Sequence, residues 1–188
     1  MKVWSLMPRI IGLLRFQVSV FFRKNRIRYI GFKQYLGKGS HFRISEKGKI
    51  YIGRSIYLSD RGSIGAHIEG KIEIGDNNFF NSNVNVVSYK SVKIGDNNLF
   101  AQNIVIVDHN HNYDSLEKLI CKQGYKCESV EIGSDCWICA NTVICAGAYI
   151  GDHIVVAANS VVNSRLEKPG LYGGIPAKLI KERKNYGN

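Results

Sequence analysis

Isoleucine and valine recur at every sixth position in one long stretch of the chain. A period of six matches neither the 3.6-residue turn of a helix nor the two-residue alternation of a strand. It matches a chain that turns a corner after every six residues, so that three sides close one coil and stacked coils bury the apolar column. The pattern predicts a triangular β-solenoid. Its clearest members are Ile132, Ile138, Ile144, Ile150, Val156 and Val162.

The same period extends upstream, and the residues beside it suit turns. Glycine follows the apolar residue at several positions, where a corner needs unusual backbone angles or a close approach between chains. Asn and Asp, which tolerate left-handed angles, crowd nearby. A β-sandwich with regular turns is the alternative, but it requires an alternation of period two that is missing. The upstream registers are Ile52, Leu58 and Ile64; Ile74, Phe80 and Val86; and Ile94, Phe100 and Ile106.

Charge divides the chain into two parts. Residues 1–49 contain twelve Lys and Arg against one acidic residue, whereas residues 50–188 contain fourteen of each kind. The net charge of +11 therefore comes entirely from the first quarter. This asymmetry predicts a basic amphipathic segment over 1–49, compatible with a helix, and a solenoid domain over 50–188 with a different role.

Two interpretations of the N-terminal segment remain open, and they are compatible. Its apolar residues could form one helical face that lies in a membrane interface, with the following cations meeting anionic lipid through residues 1–30. The face could instead cap the open end of the solenoid. No uncharged run approaches the ~20 residues that span a bilayer. Nucleic-acid binding is disfavoured because no reading motif accompanies the charge. The apolar residues are Trp4, Leu6, Met7, Ile10, Leu13, Leu14, Phe21 and Phe22.

The five cysteines argue for a reduced, cytoplasmic compartment, because their number is odd and no secretory signal is evident. The spacing of Cys136 and Cys139 would suit zinc or redox chemistry. However, Cys139 and Cys145 each follow an apolar position of the six-residue repeat, where a small residue is usual. We therefore interpret these cysteines as packing residues and expect no metal.

The repeats break between Ile106 and Ile132, and the interruption carries the candidate chemistry. The loop at about 107–131 begins Asp108-His109-Asn110-His111, with Asp114 close behind. Repeat arrays place insertions where binding occurs. Histidine titrates near neutral pH and can accept a proton from a hydroxyl or an amine. Two histidines at the start of the one long insert favour a functional role over two solvated side chains.

Three features together resemble the hexapeptide-repeat acyltransferases: the repeats, the Asp-His-x-His insert and the closing segment Gly173-Gly174-Ile175-Pro176-Ala177-Lys178. The resemblance covers roughly residues 50–185 and sharpens to the galactoside, maltose and xenobiotic O-acetyltransferase branch, including similar enzymes of bacterial polysaccharide biosynthesis. It implies a left-handed parallel β-helix with a C-terminal element at about 165–188. It also implies acetyl-CoA as acyl donor and a homotrimer with active sites between subunits.

The resemblance also assigns roles to individual residues. His111, five residues beyond Ile106, is the first candidate for the general base and His109 the second. Asp108 or Asp114 would orient the imidazole, and Asp108 would also contribute to binding the substrate. Asn81 and its neighbour Asn83 would bind the acceptor. Trp137 would lie near the thioester, and Ala140 and Ala158, one coil apart, would line the pantetheine groove. Lys178, Lys181 and Arg183 would meet the phosphates of the cofactor.

These observations predict an O-acetyltransferase that acts on a sugar hydroxyl of a glycan or glycan precursor, in the cytoplasm and at the inner face of the plasma membrane. A nucleotide-sugar N-acetyltransferase is the alternative, since the same base and cofactor would serve an amine. A catalytically silent scaffold would be expected to lack the histidine, the tryptophan or the closing segment. A γ-class carbonic anhydrase needs three histidines on converging faces, which the tight spacing of His109 and His111 does not supply.

Overall fold

The computed structural model describes residues 7–23, 25–45 and 47–184. An α-helix, α1 (Met7–Phe21), is followed by a parallel β-helix with three sheets. Sheet A contains β1 (Ile27–Tyr29), β4 (Lys49–Ile52), β7 (Lys71–Ile74), β10 (Ser91–Ile94), β15 (Val130–Ile132), β18 (Tyr149–Ile150) and β21 (Arg165–Leu166). Sheet B contains β2 (Tyr35–Leu36), β5 (Tyr57–Leu58), β8 (Phe79–Phe80), β11 (Leu99–Phe100), β16 (Trp137–Ile138), β19 (Ile154–Val156), β22 (Gly170–Gly173) and β23 (Lys178–Glu182).

Sheet C contains β3 (His41–Ile44), β6 (Ser63–Ala66), β9 (Asn85–Ser88), β12 (Val105–Val107), β17 (Val143–Ile144) and β20 (Val161–Val162). The chain runs from sheet A to B to C in each coil, so the three sheets form the sides of a triangular prism. A small hairpin of β13 (His109–His111) and β14 (Tyr125–Cys127) projects from the corner between sheets C and A. A short 3₁₀-helix (Ile120–Lys122) lies within its loop.

The predicted apolar column forms the core. Ile74, Ile94, Ile132 and Ile150 follow one another in register through sheet A, and all are buried. The repeat residues that face them from sheets B and C are buried as well. Burying an aliphatic side chain of this size contributes about 1.5–3 kcal/mol relative to leaving it exposed. The solenoid predicted from the six-residue period is confirmed.

The coils differ in length because the corner between sheets C and A varies. The strictly six-residue part pairs Ile132 with Ile150, so that this coil has three sides of six residues. Upstream, Ile52 pairs with Ile74 and Ile74 with Ile94. The additional residues of those longer coils bulge outward after the strands of sheet C, which keeps the apolar residues in register.

The β-helix begins earlier than the sequence indicated. β1 pairs with β4, β2 with β5 and β3 with β6, so residues 27–44 form the first coil. The predicted division between residues 49 and 50 therefore does not coincide with a structural boundary. The residues that continue the apolar column through this coil are Tyr29, Leu36 and Phe42, and the first spacing is seven instead of six. That one extra residue hid the coil from the repeat pattern.

Helix α1 covers the open end of the β-helix, but it does so through Gly12, Phe16 and Val20 and not through the apolar face that the sequence indicated. Most residues of the predicted face are exposed, and two lie outside the described residues; the exposed ones are Met7, Ile10, Leu14, Phe21 and Phe22, and the two outside are Trp4 and Leu6. Phe16 is buried against Tyr29 and Phe42, with edge-to-face ring contacts at centroid distances of 5.1 and 5.9 Å. Gly12 lies so close to the Tyr35 ring that a Cβ atom there would clash with it. The Tyr29 hydroxyl also donates a hydrogen bond to Gln17 Oε1 at 2.9 Å. These contacts bury the apolar groups that the first coil would otherwise expose.

Asparagine stabilises the corner between sheets B and C. Asn83, Asn103, Asn141 and Asn159 all have positive φ angles near 60°, as expected for residues that tolerate the left-handed region. Each amide Nδ2 donates to the Oδ1 of the next residue in this series, at 2.9–3.1 Å. By contrast, Gly53 has no positive φ; a Cβ atom there would lie 2.5 Å from the carbonyl carbon of Gly75. The glycines after the repeat residues thus serve close approach between coils.

Candidate active site

Asp108 is the buried anchor of the corner between sheets C and A. Its side chain has no solvent exposure. One carboxylate oxygen accepts hydrogen bonds from the Ser88 hydroxyl and from the backbone N–H groups of Lys90 and Ser91, at 2.7–2.9 Å. The other accepts the Tyr89 N–H at 2.8 Å. Four donors from residues 88–91, where β9 leads into β10, therefore hold this carboxylate in place, which satisfies a group that is costly to bury unpaired.

His109 is positioned from two sides. Its Nδ1 atom lies 3.3 Å from Asp108 Oδ1, and its ring stacks on Tyr89 with centroids 3.7 Å apart and planes within 4°. The Tyr125 ring contacts it edge-on at 5.8 Å. Its side chain is only 16% exposed. A carboxylate at Nδ1 favours the tautomer in which Nδ1 carries the hydrogen and the lone pair is on Nε2, the arrangement required of a general base.

His111 lies on the same hairpin but is held less firmly. It pairs with Tyr125 across the two strands, and the two ring centroids are 4.5 Å apart at a tilt of 45°. Its side chain is exposed. Within the described ranges, the His111 ring has no hydrogen bond or carboxylate contact comparable to that of His109. Asp114 is also exposed and further along the loop, so Asp108 is the carboxylate that the fold brings to a histidine.

Two further groups beside His109 are kept neutral by their surroundings. Burial raises the pKa of the Tyr89 phenol, with a smaller contribution from Tyr125. Burial also raises the pKa of the Cys127 thiol, and the Asp108 carboxylate adds to that effect. Cys127 pairs directly with His109 across the hairpin. A protonated thiol is a poor nucleophile, so this cysteine does not compete with the imidazoles for a role in catalysis.

The residues predicted for the donor side lie on a different part of the prism. Trp137 projects outward from sheet B and is 51% exposed. Ala140 and Ala158 stack at the corner between sheets B and C, where Asn159 N–H donates to the Ala140 carbonyl at 3.0 Å. This stacking is the one predicted from their separation by one coil. His109 belongs to the corner between sheets C and A, which is opposite sheet B. A single chain therefore does not bring His109 and Trp137 together.

The predicted cations extend the donor side along the last strand of sheet B. β23 runs antiparallel to β22 and presents exposed Lys178 and Lys181. Arg183 follows and is engaged differently. Its Nη1 donates to the His153 carbonyl at 3.1 Å and lies 3.6 Å from an Asp135 carboxylate oxygen. The two lysines are thus exposed charges, whereas Arg183 is part of a surface ion-pair cluster.

The asparagines predicted for the acceptor side also lie away from His109 of the same chain. Asn81 follows β8, and its Oδ1 accepts a hydrogen bond from the Ser82 N–H at 2.7 Å. Asn83 begins the amide series at the corner between sheets B and C. Their side chains therefore flank Ala140 and Ala158 more closely in the fold than they flank the histidines.

Sequence reasoning missed Tyr89, whose ring lies closer to His109 than that of Tyr125 does. The signal was present but indirect. His67, Tyr89 and His109 follow one another by one coil each, and their rings form a continuous series at the same corner. His67 in turn contacts Ser45 Oγ through Nδ1 at 2.9 Å. Recognising this row requires the true coil lengths, which the six-residue period alone does not provide.

All five cysteines are free thiols. Cys136 is buried in the core, and its thiol donates to the Gly151 carbonyl at 3.1 Å. Cys139 and Cys145 are half-buried on the outer surface, where burial raises the pKa of both thiols. Among the residues that the structure describes, no group of three or more His, Cys, Asp or Glu side chains is arranged to hold a metal ion.

Comparison with known proteins places the fold in a family. The protein-family model described as bacterial transferase hexapeptide (six repeats) matches residues 129–164. The putative lipopolysaccharide biosynthesis O-acetyl transferase WbbJ of Escherichia coli is 31% identical over 170 residues, which cover 87% of this chain and 82% of that protein. The probable acetyltransferase Rv3034c of Mycobacterium tuberculosis is 31% identical over 150 residues; these cover 79% of this chain but only 50% of that protein.

A solved structure with the same fold is that of AntD, an N-acyltransferase from Bacillus cereus. It was determined for a point mutant in complex with dTDP-4-amino-4,6-dideoxyglucose and coenzyme A. The TM-score is 0.67 at 21% identity, and the match covers 89% of this chain and 90% of AntD. The WbbJ relative shows the family and the repeat match agrees with it: the chain belongs to the hexapeptide-repeat acetyltransferases, the family that its sequence resembles.

Proposed function

We propose that the protein is an acetyl-CoA-dependent O-acetyltransferase that acts on a sugar hydroxyl of a cell-surface glycan or its precursor. The observation that carries this proposal is the contact between the buried Asp108 carboxylate and Nδ1 of His109. This contact fixes the His109 imidazole through Nδ1 and leaves its other nitrogen, Nε2, available to an acceptor. The name of the WbbJ relative, a putative O-acetyl transferase of lipopolysaccharide biosynthesis, supports a glycan acceptor.

We propose His109 as the general base and thereby reverse the order that the sequence favoured. A base must hold its lone pair in one direction while the acceptor hydroxyl approaches. His109 has a carboxylate at Nδ1 and a tyrosine against its face, whereas His111 has one tilted ring contact and is exposed. His111 is then better suited to contacting the acceptor than to taking its proton.

The proposed reaction needs no covalent enzyme intermediate. Nε2 of His109 accepts the proton of the acceptor hydroxyl. At the same time, the hydroxyl oxygen attacks the thioester carbonyl carbon of acetyl-CoA. The tetrahedral intermediate then collapses, the C–S bond breaks, and the thiolate of CoA takes the proton from the imidazolium. Asp108 stabilises the transient positive charge on the ring. The products are the O-acetyl sugar and free CoA.

The geometry also supports an assembly in which two chains share each site. His109 lies at the corner opposite sheet B, and the Trp137 side of sheet B is exposed. A ring of three chains would allow the His109 corner of one subunit to face the Trp137 surface of the next. In the same arrangement, Asn81 and Asn83 of the neighbour would meet the acceptor. We therefore propose a homotrimer with an active site at each interface.

Transfer to an amine is the second candidate, because AntD is an N-acyltransferase on the same fold. His109 could accept a proton from an ammonium group as well as from a hydroxyl. The two acceptors differ in the bond that is formed, so the product distinguishes them: an ester is cleaved by mild base, whereas an amide is stable to it.

A panel of acceptors tests the proposal. The protein would be incubated with acetyl-CoA and neutral sugars, nucleotide sugars, amino-sugar nucleotides or undecaprenyl-linked glycans, and the products identified by mass spectrometry before and after mild base. We expect a base-labile acetyl group on a sugar and stoichiometric release of CoA. A base-stable product on an amino sugar would support the second candidate. No product with any acceptor, together with no acetyl-CoA binding in calorimetry, would refute both.

A further inference from the structure

Helix α1 has a second apolar face that the β-helix does not cover. Gly12, Phe16 and Val20 are buried, at a spacing of four residues. Leu14 is two positions from both Gly12 and Phe16, which places it about 200° around the helix from each. Val18 is related in the same way to Phe16 and Val20. The two faces are therefore on opposite sides of one helix, and a helix that only capped the β-helix would need one of them.

The outer face is strongly exposed. Leu14 is 58% exposed and Val18 is 63% exposed. Ile10 and Phe21 extend the same stripe by one turn in each direction and are exposed to a similar degree. Phe32, at 85% exposure, lines a surface groove together with Ile10 and thus adjoins the stripe. A contiguous apolar surface of this kind on a folded domain marks an interaction site.

The charges that α1 and the first coil contribute to this surface are all positive. Residues 1–45 contain no Asp or Glu. Arg9 and Arg15 lie on α1 beside the apolar stripe, Arg23 follows its end, and Arg28 and Lys33 lie in the first coil, all of them exposed. A polar face rich in Arg and an apolar face of aliphatic and aromatic residues are the two components by which a helix lies in an anionic lipid interface.

We propose that the outer face of α1, formed by Ile10, Leu14, Val18, Phe21 and Phe32, docks on the surface of an anionic membrane. The helix lies in the interface and does not cross it, since none of the described helices is long and apolar enough to span a bilayer. In the proposed homotrimer, three such helices would cover one end of the assembly and bind together. The active sites of the same assembly would then be held near lipid-linked acceptors at the cytoplasmic face, where acetyl-CoA is available.

The charge distribution favours lipid over a protein occupant. A second copy of this surface would bring arginines against arginines, because the whole region is basic. An anionic bilayer instead offers a continuous apolar layer beneath negative headgroups, which matches both components at once. The docking surface is remote from the histidine hairpin, so the proposal stands or fails independently of the catalytic assignment.

Vesicle flotation tests the proposal with the full chain. The wild type should bind vesicles of phosphatidylcholine and phosphatidylglycerol, bind pure phosphatidylcholine weakly, and dissociate as salt is raised. Leu14→Gln combined with Val18→Gln should lower binding by about tenfold or more, because two apolar anchors are lost. The matched control, Leu116→Gln with Leu119→Gln, removes two exposed leucines from the insert and should bind like the wild type.

Circular dichroism would verify that each variant is folded. Equal vesicle binding by the wild type and the α1 variant would overturn the proposal. Absence of vesicle binding by the wild type would overturn it as well. So would a change of oligomeric state in the α1 variant, measured by light scattering, without any loss of vesicle binding, because the surface would then join copies of the chain.

Discussion

The ring of Tyr89 lies flat against the ring of His109, with 3.7 Å between the centroids and 4° between the planes. Tyr89 belongs to one coil and His109 to the next, so the stack is a contact between coils. The same tyrosine donates its backbone N–H to the Asp108 carboxylate. One residue of the preceding coil thus supports both the imidazole and the carboxylate beside it.

Tyr89→Ala should lower kcat by about tenfold while changing KM for acetyl-CoA little, because a free imidazole samples unproductive orientations. Tyr89→Phe retains the stack and should keep nearly full activity. Tyr149→Ala, which removes a tyrosine on sheet A, serves as the control. An equal loss in Tyr89→Phe would show that the hydroxyl, not the stacked ring, is what matters.

Asp108→Asn should destabilise the protein by about 2–3 kcal/mol and also lower kcat. An amide NH₂ cannot accept the hydrogen bonds that the carboxylate receives from the corner, so buried donors are left unpaired. Denaturant midpoints measure the first effect, and CoA release below the unfolding transition measures the second. Asp114→Asn alters an exposed carboxylate of the same loop and should change neither the stability nor kcat. Wild-type stability in Asp108→Asn would contradict the anchoring role.

Asn103 occupies an inner position of the asparagine series, with φ near 60°. Asn103→Ala should cost about 1–2 kcal/mol, because it removes two amide contacts and replaces a residue that tolerates the left-handed region with one that rarely adopts it. Asn103→Gly loses the same contacts but adopts that conformation readily, so it should cost less. Thermal unfolding of both variants separates the two contributions; a larger loss for glycine would contradict the backbone argument.

Cys136 should resist alkylation in the native protein. Burial raises the pKa of its thiol to about 11, so little thiolate forms at pH 8. Cys121 is exposed on the insert and should react first. Because the folded state retains this proton while the unfolded chain loses it, stability should fall as pH rises between about 9 and 11. Mass spectrometry after iodoacetamide treatment shows which cysteine is alkylated first. Rapid labelling of Cys136 would contradict the predicted protection of its thiol.

The sequence predicted the core well because a single rule governs it. Every apolar repeat residue from Ile52 to Val162 must face inward if the coil is triangular, and one period relates the three such residues within each coil. The first coil escaped notice because one extra residue precedes Leu36 and breaks the period. The second apolar face of α1 could not be assigned either, since a helix that is apolar on two sides does not reveal which side is covered.

The site was predicted less completely because its residues lie at the corner between sheets C and A, where the length of the chain varies from coil to coil. His109 and His111 are two residues apart on one strand, and periodicity gives them equivalent directions. Only the structure shows that the coil below places Tyr89 and the Asp108 corner against His109. The separation of His109 from Trp137 likewise follows from which side of the triangle each occupies, and the spacing along the chain does not encode that side.

The most direct test of the account compares His109→Ala with His111→Ala, using acetyl-CoA and an acceptor identified in the panel. Release of CoA should fall by about 10²-fold or more in His109→Ala, because general base catalysis is lost. In His111→Ala, the main effect should be a higher KM for the acceptor with most of kcat retained. The reverse result, with kcat lost only in His111→Ala, would contradict the assignment of His109 as the base.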